Sequence, residues 1–107
     1  MITEDAVDFA NNFLWESAED VGNAKAEAFK WEHMLKHTKA LAMKHSGETT
    51  ISGQEREAFL TEQYVTAVDK AAEAAGRYET LRAKREAAAM TIETWRSQGA
   101  NYRAMKL

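Results

Sequence analysis

A chain of 107 residues with 17 acidic and 14 basic side chains, a formal charge of −3 and a pI near 5.6 has the size of one domain. The acid excess argues against a strong general binder of nucleic acid, and the lack of cysteine removes disulfides and thiolate metal sites. No apolar run is long enough to span a membrane, and the opening MITEDAVDF is acidic where a secretory leader is basic; the expected setting is the cytoplasm.

Residues 4–46 read as the first helix. Val7, Leu14, Val21, Ala28, Leu35 and Ala42 repeat every seven positions, and Ala10, Ser17, Ala24, Trp31, Thr38 and His45 follow each by three. Thr3 is the expected N-cap, with Glu4 and Asp5 at the positive end of the helix dipole. Gly22-Asn23 is the weak point, so a continuous helix and one broken there both stay open. His33 and His37 share a face at i,i+4, but the glutamate of an HExxH site is missing and no third ligand is evident.

Residues 47–53 read as a turn. Gly47 suits the left-handed residue that closes a helix, and Ser52 with Glu55 matches a capping box for the next one. The second helix is expected over residues 54–98. Its seam is Leu60, Tyr64, Ala67, Ala71, Ala74, Tyr78, Leu81, Ala88, Ile92 and Trp95, with Arg85 interrupting. No proline stops it, and at 1.5 Å per residue it would be about 67 Å long. Gly99 is expected to end it, leaving 99–107 as a tail. The fold class is therefore all-α: a long antiparallel, coiled-coil-like helical hairpin in a single domain.

Leu60, Tyr64, Val65, Val68, Ala72 and Ala75 form the candidate surface for self-association, because a two-helix hairpin covers one face and leaves a second strip wet. The charges alternate in blocks. Residues 1–22 hold six acids and no lysine or arginine, whereas residues 77–107 hold seven bases and three acids. Folding the chain at about residue 49 brings acid beside base, a pattern that discourages wrong registers. Those basic residues have two readings, as partners of Glu16, Glu19 and Asp20 or as contacts to nucleic acid. Arg82, Lys84, Trp95, Arg96, Tyr102 and Arg103 are the candidates for the second, because single strands need cations for phosphates and aromatic faces for bases. No phosphate loop, nucleophile context or carboxylate metal motif stands out, so neither an enzyme nor a cofactor is expected.

The order Leu81-Arg82, Glu86-Ala87-Ala88, Ile92-Glu93-Thr94-Trp95-Arg96-Ser97-Gln98 and Ala100-Asn101-Tyr102-Arg103, with Lys39–Lys44, Gln54–Ala58 and Tyr64 upstream, resembles small all-helical proteins of tailed phages. These are commonly encoded near replication and recombination genes. The layout of residues 24–104 is also loosely similar to UvsY-type recombination mediators. The resemblance implies a homo-oligomer that binds single-stranded DNA and helps load a recombinase onto strands covered by single-strand binding protein. The other class of function left open is a non-catalytic structural or adaptor oligomer, or a modulator of a host protein. Neither involves a membrane or a small-molecule substrate.

Overall fold

The computed structural model describes residues 1–106, and four α-helices with no strand account for the secondary structure among them: α1 (Glu4–Glu16), α2 (Ala18–Lys44), α3 (Ile51–Phe59) and α4 (Glu62–Lys106). The all-α expectation holds. Thr3 caps α1 from the extended region, its hydroxyl accepting from the Ala6 N–H at 3.2 Å. Each of the two long expected helices is broken once, at a hydroxyl residue rather than at glycine.

The first break is at Ser17, not at Gly22-Asn23. Ser17 closes α1, and its hydroxyl donates to the Phe13 carbonyl, one of the local bonds by which serine competes with the helical ladder. Gly22 and Asn23 lie inside α2. A single glycine costs about 1 kcal/mol relative to alanine, which is too little to break a packed helix.

The turn also differs from expectation. No described residue has a positive φ, so Gly47 does not close α2 in the left-handed region. Thr50, not Ser52, caps α3: its hydroxyl accepts from the Gly53 N–H at 3.0 Å. A Cβ on residue 53 would lie 2.9 Å from that hydroxyl oxygen, so glycine there permits the close approach.

The second break falls at Leu60-Thr61, inside the expected second helix. The Thr61 hydroxyl donates to the Ala58 carbonyl at 2.8 Å and accepts from the Tyr64 N–H at 3.2 Å, ending α3 and starting α4. Leu60 consequently leaves the seam and is 78% exposed. At the other end α4 runs through Gly99 to Lys106, so the expected tail is helical as far as it is described.

The helices pack into two compact units, Met1–Gly22 with Glu79–Leu107 (the terminal unit) and Asn23–Tyr78 (the central unit). In the terminal unit α1 lies antiparallel to the second half of α4. The Ile2 N–H donates to Gln98 Oε1 at 3.1 Å, and Arg85 Nη1 donates to the Leu14 carbonyl and to Ser17 Oγ, each at 2.6 Å. In the central unit α2 runs antiparallel to α3, with Lys39 paired to Glu55 at 3.6 Å. The seams sit where the seven-residue repeat puts them: Val7 and Ala10 are buried in one unit, Ala24, Ala67 and Ala74 in the other, joined there by Ala58. No buried side chain among the described residues is larger than valine. The core is thin because its buried positions are mostly alanine.

Candidate functional site

The sequence-derived candidates divide once their surroundings are seen. Arg82 sits between two carboxylates of its own helix, Glu79 at 3.6 Å and Glu86 at 3.3 Å, and Arg96 lies 3.2 Å from Glu93. Pairing with Glu16, Glu19 and Asp20 across the helices does not occur. Among the described residues every ion pair of α4 is internal to it, at i,i+3 or i,i+4. The reason is geometric: neighbours on one helix meet without reaching across a seam, whereas these three acids are exposed. Lys84 lies along an open apolar groove of about 570 Å³ with Phe9, Phe13 and Ala88.

Trp95, Tyr102 and Arg103 come together on the last three turns of α4, where Arg96 also lies. Lys84 is eleven residues earlier, about 16 Å along the axis. The stripe Trp95, Gly99, Tyr102 and Lys106 continues the face that packs on α1, at spacings of four, three and four. Since α1 begins at Glu4 and Ile2 is bonded to Gln98, this stripe runs past its partner. Trp95 is 37% exposed and Tyr102 53%, and Lys106 Nζ stands 5.0 Å from the centre of the Tyr102 ring. Residues 94–106 contain three cations and no acid, and Arg103 and Lys106 have no carboxylate within 4 Å among the described residues. The sequence reading missed Lys106, although its place four residues after Tyr102 was the available signal.

The self-association candidates are also sorted. Val65, Val68, Ala72 and Ala75 are exposed on one stripe of α4 in the central unit, and Leu60 is exposed at the break before it. Tyr64 is half-buried, its ring edge-on to Phe59 at 5.2 Å. The exposed apolar set is wider than the strip that was expected: Trp15, Phe9, Ile51 and Met90 are 84%, 75%, 72% and 66% exposed.

His33 Nδ1 is 3.0 Å from the Phe29 carbonyl, while His37 and His45 border an open groove with Met34, Leu41 and Glu57. Among the described residues no three His, Asp or Glu side chains gather as metal ligands, and no buried side-chain polar atom lacks a hydrogen-bond partner. No described helix is long and apolar enough to cross a membrane. No family model, curated protein or solved structure matches the chain.

Proposed function

We propose that this protein is a non-catalytic helical scaffold that works by associating with copies of itself in the cytoplasm. One observation carries the reading: the fully buried side chains are all small, while large apolar ones such as Phe9, Trp15, Ile51 and Leu60 lie exposed. Burying a side chain the size of Phe or Leu contributes roughly 1.5–3 kcal/mol, and the units leave that contribution unused at Phe9, Ile51 and Leu60. Small domains with thin cores commonly recover it by association. The strip of Val65, Val68, Ala72 and Ala75 suits such a contact because alanines let helices approach closely. Light scattering of wild type and of Val65→Asp/Val68→Asp tests this. The expected result is an oligomer for the first, and for the second a smaller species with an unchanged helical signal. A wild type that stays at 12.0 kDa across micromolar concentrations rejects the reading.

A second reading is favoured by the acid-free end of α4. There Trp95, Arg96, Tyr102, Arg103 and Lys106 offer cations and aromatic faces of the kind single-stranded DNA needs. It fits the resemblance to phage recombination mediators, whose partners would be a recombinase or a single-strand binding protein. The acids of α1 in the same unit, which have no lysine or arginine within 4 Å among the described residues, count against it. Its test is the anisotropy of a labelled single strand over a salt series, where phosphate contacts weaken steeply with salt. Arg96→Glu/Arg103→Glu should remove any binding seen with wild type.

A further inference from the structure

The end of α4 and the start of α1 form a step in the terminal unit. The Trp95-Tyr102-Lys106 stripe continues for Gly99–Lys106, about 12 Å, beyond the point where α1 stops covering it. The first turn of α1, which forms the riser of the step, carries Glu4 beside the seam and Asp5 on the outer side, both exposed and without a lysine or arginine within 4 Å among the described residues. At the outer end of the step are Arg103 and Lys106, equally without an acid.

We infer that the step is a lap joint filled by a second copy of the chain. The occupant follows from charge and register. A second copy turned through 180° lays its own α4 end antiparallel on the first, in the space α1 leaves. The antiparallel turn carries the Arg103 and Lys106 of each copy towards the Glu4 and Asp5 of the other, and brings the two Tyr102 rings near the twofold axis. A parallel arrangement would set cation against cation. Gly99 lies within the stripe and carries no side chain to hold the helices apart; a Cβ there would meet only Arg103 Nη1, at 3.6 Å. The contact is isologous, so it closes after two copies. Two turns per copy is far less surface than a tight dimer uses, so the joint is weak and salt-sensitive. It rests on the scaffold reading and adds a contact separate from the Val65–Val68 strip.

The natural chain has no cysteine, so one introduced thiol reports the joint directly. Under mild oxidation in low salt, Tyr102→Cys should cross-link to a covalent dimer. Ala104→Cys, on the opposite side of α4, should cross-link at least about tenfold more slowly. Adding Arg103→Glu and Lys106→Glu to Tyr102→Cys should slow cross-linking by about tenfold, since like charges then meet at both ends. Further addition of Glu4→Lys and Asp5→Lys should restore it, and circular dichroism checks that each variant remains helical. Equal rates at 102 and 104, or no rescue by the second reversal, overturn the joint. If wild type still scatters as an oligomer in that case, the scaffold reading stands without it; a monomeric wild type removes both. Charge reversals that leave cross-linking unchanged but abolish binding of a labelled single strand overturn the joint in favour of a nucleic-acid site.

Discussion

Arg85 occupies the position where an apolar residue would complete the α4 seam, and its guanidinium reaches the end of α1. One nitrogen serves both the Leu14 carbonyl and the Ser17 hydroxyl at 2.6 Å, so a cation meets the negative end of a helix dipole just where the ladder is interrupted. The group is half-buried, and hydrogen bonds from a charged donor to such partners contribute about 1–3 kcal/mol. Arg85→Ala should therefore lower the unfolding free energy in urea by about that amount, because it strands the Leu14 carbonyl. Arg85→Leu should recover part or all of the loss by filling the seam, as apolar replacements of buried charges often do. If alanine and leucine at 85 are both as stable as wild type, the arginine contributes neither packing nor capping. The interruption was visible in the sequence. Its partner was not, because Leu14 lies 71 positions away and offers a backbone oxygen that no residue identity announces.

At the scale of elements, the two helix starts differ in how well they could be read. Thr3 caps α1 as its neighbours suggest, but the Ser52–Glu55 pattern competes with Thr50–Gly53, and the structure uses the latter. Thr50→Ala should cost about 1 kcal/mol, whereas Ser52→Ala, already inside the helix, should change the urea midpoint little. Equal losses for the two would mean that both hydroxyls cap. Heptad spacing located the buried faces because period and side-chain direction are coupled in a helix. Both breaks were missed because serine and threonine carry no strong breaking signal, and Leu60 fits the repeat until Thr61 turns the chain. The alanine stripe yields a third expectation. Ala74 is 4% exposed, so Ala74→Leu should overpack the central unit and cost about 1–3 kcal/mol in chemical denaturation. A variant as stable as wild type would mean that the facing helix stands far enough away to accept a larger side chain. Of the candidate site, the cation and aromatic content of the end of α4 was legible. The neutralisation of Arg82 and Arg96 by Glu79, Glu86 and Glu93 was not, because a charge block does not say which acid each base meets.

For the whole molecule, the charge is unevenly held. The terminal unit carries the whole formal charge of −3, with six of its acids in residues 1–22, while the central unit balances eight acids with eight bases. A scaffold stabilised by association should show a thermal midpoint that rises with protein concentration, because copies bind the folded state and not the unfolded one. A midpoint independent of concentration over two decades would show that association contributes nothing to folding. Such measurements have a reporter already in place, because the three tryptophans occupy three different settings. Trp15 on α1 is 84% exposed; Trp31 in the central unit is half-buried and donates to Glu27 at 2.9 Å; Trp95 on the end of α4 is 37% exposed. Their emission should separate accordingly, with Trp15 reddest and most readily quenched by acrylamide. Variants that keep one indole at a time would turn the intrinsic fluorescence into two thermometers, Trp31 for the central unit and Trp15 for the terminal one. The third, Trp95, would serve as a proximity gauge, its quenching by acrylamide falling whenever anything settles on the end of α4.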